Sequence, residues 1–154
     1  MHYVFYSSSS EETHKLASYI LKKYLKNCEF LIFLLNGELG SGKTEFVKGI
    51  AKELGFKSFQ IKSPSFTIIE EFSNKKFKLF HIDLYRIEPK FTNRIIFNLI
   101  EEINFDKKII FCIEWAKKLK NKVLEIFKNF KKSKVLEVNL KIKNYKRKIT
   151  IKTI

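Results

Sequence analysis

A three-layer α/β domain, with helices on both faces of a mixed β-sheet, is the fold class this sequence predicts. Three observations carry it. Two continuous apolar runs, Phe30-Leu31-Ile32-Phe33-Leu34-Leu35 and Ile109-Ile110-Phe111-Cys112-Ile113, have the pattern of strands covered on both sides. Amphipathic helical spacings stand between such runs, as at Phe46, Val47, Ile50, Ala51 and Leu54. The turn Gly37-Glu38-Leu39-Gly40-Ser41-Gly42-Lys43-Thr44 joins the first run to that helix. It fills the pattern G-x-x-x-x-G-K-[ST], in which turned backbone N–H groups and a helix N-terminus receive phosphate. The expected fold is therefore of the P-loop NTPase type, with a C-terminal β-hairpin.

His2 to Tyr6 reads as a short strand. Ser8 and Ser9 stand three residues before Glu11 and Glu12, a capping-box arrangement, and open a helix with Leu16, Ala17, Ile20, Leu21, Tyr24 and Leu25 on one face. The strand from Phe30, the glycine turn and the second helix follow. Gly55 is placed to end that helix, and Gly49 inside it suggests close packing against the sheet. Phe66 to Phe72 and Phe77 to Ile82 read as strands joined at Ser73-Asn74-Lys75-Lys76. Ile95, Ile96, Leu99, Ile100 and Ile103 recur at helical spacing, as do Leu119, Val123, Leu124 and Phe127. Leu136, Val138, Leu140 and Ile142 alternate, turn near Lys143-Asn144, and return through Ile149 and Ile151. That is a lysine-clad hairpin whose charges suit a sheet edge.

The 154 residues are expected to form one domain, residues 1–154, without linker or repeat. The longest apolar run is far short of the ~20 residues of a membrane helix, and no secretory leader is visible. A cytoplasmic protein with Cys28 and Cys112 as buried free thiols is the expectation. The formal charge of +15 comes from 31 basic and 16 acidic residues, mostly dispersed lysines. Such a charge is compatible with an indirect or weak contact to nucleic acid, and equally with a composition bias. Arginine forks for specific recognition are scarce: Arg86, Arg94 and Arg147 are the only ones.

Of five glycines, three lie in the phosphate-loop pattern, where backbone must approach a ligand. Lys43 is placed to bridge the outer phosphates and Thr44 to put its hydroxyl on Mg²⁺. Carboxylates must join them, and ligands in such folds gather at the carboxyl ends of parallel strands. Asp83 closes Leu79-Phe80-His81-Ile82, and Glu114 closes Ile109 to Ile113; both are expected at the metal. Trp115 adjoins Glu114 and is a candidate neighbour of the nucleotide. His81 reads as a packed core histidine, and His2 and His14 show no partner. Neither Asn74-Lys75-Lys76-Phe77 nor Asn121-Lys122-Val123-Leu124 supplies the Asp of a guanine-reading N-K-x-D, and Asp83-Leu84-Tyr85-Arg86 lacks the glycine of a D-x-x-G switch. ATP is favoured by exclusion.

The phosphate loop, Lys62-Ser63-Pro64-Ser65-Phe66-Thr67, His81-Ile82-Asp83-Leu84-Tyr85-Arg86 and Ile113-Glu114-Trp115 occur in this order, and together resemble the bacterial TsaE (YjeE-type) family. The resemblance implies a small ATPase supporting transfer of a threonylcarbamoyl group to N6 of adenosine 37 of tRNA, with TsaB and TsaD as partners. It implies ATP and Mg²⁺ as cofactors. Gly40, Ser41, Gly42, Lys43, Thr44 and Glu45 would line the nucleotide, with Thr44, Glu114 and Asp83 at the metal, and Lys43, Asp83 and Glu114 acting in hydrolysis. Thr67 would sit in a switch-like loop, and Ser10 and Thr13 near the adenine. The chain departs from the family pattern at Ser65-Phe66, at Ala116 and at Phe91-Thr92-Asn93-Arg94. A small-metabolite P-loop kinase and a non-enzymatic nucleic-acid module are the alternatives. Only Arg86 lies near a motif, so slow hydrolysis, accelerated by partners, is the expectation.

Overall fold

The computed structural model describes residues 2–64 and 66–154. Seven strands form one sheet: β1 (His2–Ser7), β2 (Phe30–Asn36), β3 (Ile69–Ser73), β4 (Phe77–Asp83), β5 (Lys108–Glu114), β6 (Ser133–Lys143) and β7 (Lys146–Thr153). Four helices accompany them: α1 (Ser10–Leu25), α2 (Lys43–Glu53), α3 (Pro89–Glu102) and α4 (Asn121–Asn129). The strand order is β1-β7-β6-β2-β5-β4-β3. β6, β2, β5 and β4 run parallel, while β1, β7 and β3 pair antiparallel with their neighbours, so the sheet is mixed.

Alternation along β2 divides the interior into two layers. Leu31, Phe33 and Leu35 pack with Ala17, Ile20 and Leu21 of α1 and Phe46, Val47 and Ile50 of α2. Ile32 and Leu34 pack on the other side with Ile96 of α3 and Val123 and Phe127 of α4. A strand with both faces covered must be apolar at every position, which accounts for the unbroken runs in β2 and β5. α1 begins at Ser9, whose Oγ accepts the Glu12 N–H at 3.1 Å, while Glu12 Oε2 accepts the Ser8 N–H at 2.6 Å. Each bond satisfies an otherwise unpaired backbone N–H at the entry to the helix.

Three expectations need correction. β3 starts at Ile69 rather than Phe66, because the Ile68 N–H turns back to the Pro64 carbonyl at 2.6 Å and Ile68 takes a positive φ of 67°. Ser65, from the motif Lys62 to Thr67, lies outside the described residues. The C-terminal hairpin is not at an edge: β6 pairs with β2 and β7 with β1, leaving β1 and β3 as the edges. Its turn is a two-residue loop, with Asn144 and Tyr145 both at positive φ, matched to strand twist.

Gly49 faces α1, not the sheet. A Cβ there would lie 2.6 Å from the His14 carbonyl oxygen and 2.7 Å from His14 Cα. Those are backbone atoms, so the gap opens only if the two helices part. Gly49→Ala would gain about 1 kcal/mol of helix propensity but cost about 1–3 kcal/mol of overpacking. Because rigid backbone is what must move, the second effect wins. Equilibrium urea unfolding should show a lowered midpoint for Gly49→Ala; a midpoint at or above wild type would disprove this packing.

Candidate functional site

The parallel strands deliver their ends to one rim of the sheet. β2 ends at Asn36 and runs into the glycine loop, while Asp83 and Glu114 sit opposite each other in the β4–β5 register and Leu35 opposite Glu114 in β2–β5. Gly42, the residue before α2, has φ 101° and gives no side-chain cap. A left-handed turn of that kind suits glycine, and it leaves the first N–H groups of α2 open to an anion. A cleft of about 270 Å³ lies over this point, lined by Gly40, Gly42, Lys43, Thr44, Asp83 and Glu114.

The Thr44 hydroxyl donates to Glu114 Oε1 at 2.8 Å. His81 Nε2 reaches the same oxygen at 2.9 Å from within the sheet, so the imidazole must donate through Nε2 to an acceptor-only carboxylate. His81 and Glu114 are 0% and 3% exposed, and a buried carboxylate is costly without such partners. His81 Nδ1 has no hydrogen-bond partner among the described residues. Asp83 is held from both sides, accepting from the Ser63 hydroxyl and from the Tyr85 N–H at 2.9 Å. Its own N–H donates to the Ile68 carbonyl at 2.9 Å, so the turn at Ile68 serves to fix this acid.

Lys43 is buried and folded back on its own loop. Its ammonium donates to the Gly37 and Glu38 carbonyls, each at 2.9 Å, and lies 4.3 Å from the Trp115 ring centre. Burial pushes this ammonium below the usual lysine range, against the pull of Glu114 and Asp83. Trp115 takes a positive φ of 59°, and its ring also meets Tyr85 at 4.9 Å. Lys118, which no motif singled out, clamps the segment after Asp83 by donating to the Leu84, Tyr85 and Ile87 carbonyls at 2.9, 2.5 and 3.0 Å.

The donor set suits Mg²⁺ shared with phosphate: one hydroxyl, a strand-end carboxylate bonded to it, and a second acid beside that one. The loop also suits a phosphate, because its uncapped N–H groups have no side-chain competitor and the Ser41 hydroxyl is buried without a partner among the described residues. Gly40, Gly42 to Glu45, Asp83, Glu114 and Trp115 line this cleft, and Ser41 lines the adjoining one. Glu45 lines the cleft, but its carboxylate also binds His14 of α1 at 2.7 Å and Lys48 at 2.6 Å. Burial pushes that carboxyl up, and the bonds from Lys48 and His14 outweigh it, leaving it below the usual range. His14 therefore has a partner that its sequence neighbourhood did not show.

Other candidates stand apart from the cleft. Thr67 is exposed and does not line it. Ser10 is exposed on the first turn of α1, and Thr13 is buried, sharing hydrogen bonds with Ser7 Oγ at 2.8 Å and the Ser9 carbonyl at 3.1 Å. Two residues escaped the sequence reading. His81 was read as core packing alone, although its place two residues before Asp83 on a strand puts both on one face. Arg147, from β7, lines the cleft across from Gly42, so Arg86 is not the arginine nearest the loop. Arg86 instead lies over the Phe66 ring at 4.8 Å.

Strand, glycine loop, helix and paired strand-end acids define an α/β domain of the P-loop NTPase type. The same architecture occurs in the crystal structure of Bacillus subtilis YdiB, with a TM-score of 0.65 at 24% identity, over 100% of this chain and 86% of that one. Residues 7–149 match the family described as threonylcarbamoyl adenosine biosynthesis protein TsaE. The tRNA threonylcarbamoyladenosine biosynthesis protein TsaE of Rickettsia typhi is 33% identical over 149 residues, covering 94% of this chain and 91% of that protein. Its counterpart in Aquifex aeolicus is 48% identical over 80 residues, which is 51% of this chain and only 58% of that protein. The chain belongs to the TsaE family.

The single tryptophan makes the lysine observable. Phosphate entering the loop must draw the Lys43 ammonium off the Gly37 and Glu38 carbonyls, changing the charge over the Trp115 ring. Adding Mg-ADP should therefore alter intrinsic tryptophan emission in wild type and leave Lys43→Ala unchanged. An equal change in both proteins would break the link. His81→Leu should reduce Mg²⁺-dependent nucleotide affinity about tenfold or more, as loss of a partner behind a metal-binding carboxylate commonly does. His81→Gln, which keeps an N–H donor, should recover part of it. Titrations with and without Mg²⁺ test this; equal affinities in His81→Leu and wild type would reduce His81 to packing.

Proposed function

We propose that this chain binds and hydrolyses Mg-ATP in support of threonylcarbamoyl transfer to N6 of adenosine 37 of tRNA, working with TsaB and TsaD. The single observation that carries the ATPase reading is the Thr44–Glu114 hydrogen bond at 2.8 Å, formed beside the buried loop lysine. A strand-end carboxylate bonded to the loop hydroxyl is what a cation shared with phosphate oxygens requires. Thr44 and Glu114 would hold Mg²⁺, which would supply positive charge against the phosphates. Asp83, fixed by Ser63 and Tyr85, would orient the attacking water. Lys43 exchanges two loop carbonyls for phosphate oxygens. A second cleft of about 470 Å³ runs along the other flank of the loop, past Leu39, Trp115, Leu140 and Ile142, and has room for a nucleoside.

The family membership supports the tRNA-modification role, and the surface around the cleft supports partner-dependent activity. Leu39 and Tyr85 are large apolar side chains exposed by 73% and 45% in the cleft lining, and Phe66, exposed by 86%, lies beside Arg86 just past Tyr85. Exposed apolar groups clustered around a functional site suit a docking partner that completes it. Ser63, bonded to Asp83, ties the segment carrying Phe66 to the acid, so the partner-facing loop and the site are mechanically joined. We take residues 1–154 to act as one domain, and the cytoplasm, where tRNA is modified, as its compartment. Among the described residues no helix is long and apolar enough to cross a membrane.

Glu114→Gln and Asp83→Asn should remain folded and lose ATP hydrolysis by about a hundredfold or more, because shape survives while the charge at the metal is lost. Lys43→Ala should lose ATP and ADP binding itself. Steady-state ADP release should rise on adding TsaB and TsaD, the tRNA readout being N6-modified adenosine 37. Normal turnover in both acid variants, with lowered melting temperature, would make these acids structural. ADP release that depends instead on a small hydroxylated acceptor would point to the kinase alternative.

A further inference from the structure

Arg147 stands in an unusual electrostatic position. It lies on β7, opposite Ile142 of β6 and Ser7 of β1, and alternates with the buried Ile149 and Ile151 on the face that carries α1 and α2. Its side chain runs against Gly42: a Cβ built on that glycine would lie 2.7 Å from Arg147 Nε, 3.0 Å from Cδ and 3.7 Å from Cζ. Gly42 is the N-cap of the 11-residue helix α2 and supplies no side-chain acceptor. A guanidinium is thus held at the positive end of a helix, where a cation is unfavourable. Among the described residues it has no hydrogen bond or ion pair to compensate; Glu45, the nearest acid on α2 that lines the cleft, is engaged by His14 and Lys48. Ser41, one residue before Gly42, keeps its buried hydroxyl unpartnered as well. A guanidinium and the N-terminus of α2 converge at Gly42, with a buried hydroxyl donor one residue away, an arrangement that suits an anion.

We propose that Arg147 binds the inner, α- and β-phosphates of the nucleotide, as a charge supplied from the C-terminal hairpin of the same chain. The inference rests on the nucleotide reading above and deepens it. The placement follows from which loop atoms it accompanies. Thr44 is bonded to Glu114, Asp83 stands opposite Glu114 in the β4–β5 register, and Lys43 lies over Trp115, all on the side of the strand ends, where the outer phosphate and the cation belong. Arg147 is on the Gly42 side, where the first N–H groups of α2 cradle the inner phosphates. Gly42 is needed there twice, for its positive φ and because any Cβ would displace the guanidinium stem. An arginine at this point gives ground-state affinity to ATP and ADP alike. It does not replace a charge at the γ-phosphate, so hydrolysis by the isolated chain stays slow.

Calorimetric titration of ADP and ATP into wild type, Arg147→Gln and Arg147→Lys tests this, with the melting temperature of each nucleotide-free protein as the folding control. Arg147→Gln should weaken ADP and ATP to a similar degree, by about tenfold to a hundredfold, the range for losing a hydrogen-bonded charge. Arg147→Lys should restore part of that, since a point charge remains without the fork. Nucleotide-free Arg147→Gln should melt no lower than wild type, because an uncompensated cation has gone. Equal ADP affinity in wild type and Arg147→Gln would overturn the inference while leaving the nucleotide reading intact. Normal ADP affinity with slowed hydrolysis would move Arg147 to the γ-phosphate and overturn the inner-phosphate placement. A folded wild-type protein that binds neither nucleotide would defeat the nucleotide reading and this inference together.

Discussion

The buried Glu114 carboxylate is the constraint on which the arrangement of the site depends. It sits at 3% exposure at the end of the apolar run Ile109 to Ile113, and one of its oxygens receives both Thr44 and His81. The two partners come from different elements, Thr44 from the helix after the glycine loop and His81 from β4, the parallel neighbour of β5. A carboxylate so placed is strongly destabilising if either donor is lost, because it cannot return to water without opening the sheet. The bonds that stabilise the charge thereby fix the distance between phosphate loop and strand end. The same geometry serves folding and chemistry.

Around that centre the chain shows a consistent device: irregular backbone at the rim, held by side chains that reach back to it. Ile68 and Trp115 adopt positive φ, which is unfavourable for residues of their size. The first turns a carbonyl to the Asp83 N–H, and the second starts a 3-10 turn and carries its ring over Lys43. Lys118 secures three carbonyls after Asp83, and Asn36, at the end of β2, accepts the Lys117 N–H at 2.8 Å. These bonds tie the loops following β2, β4 and β5 into one frame. Strained conformations persist where their surroundings over-determine them, and here those surroundings are the two layers of apolar packing beneath.

The contact between α1 and α2 carries the frame outward. Gly49 allows the two helices to approach at His14, and the His14–Glu45 bond adds a polar tie at the first turn of α2. α1 is therefore packed directly on the helix that begins at the phosphate loop. Through Ser7 and Thr13, which share a hydrogen bond, the end of β1 is attached to the same corner, and β1 in turn flanks Arg147. The N-terminal segment thus braces the helix that begins at the loop, with Thr13 buried away from the cleft itself.

Local pattern alone was enough for the existence of each α-helix and strand, for the ends of β1, β2, β4 and β5 within one residue, and for candidate side chains written next to the loop or at a strand end. Lys43, Thr44, Asp83 and Glu114 were legible because an unbroken apolar run, a glycine turn and a closing acid are short-range signals. The start of β3, the partner of Gly49, the pairing of His14, the role of His81 and the place of Arg147 were not. Each depends on which distant segment lies alongside, and a strand's alternation states which face it buries but not which strand it pairs with. The hairpin has the lysines of an edge, yet β1 closes over β7 and β6 joins β2, and only that order brings residue 147 to residue 42. The sequence by itself determined the layers and the local chemistry of the loop. Tertiary structure decided which remote charge and which buried donor lie beside it, because strand order is settled by the packing of the whole sheet.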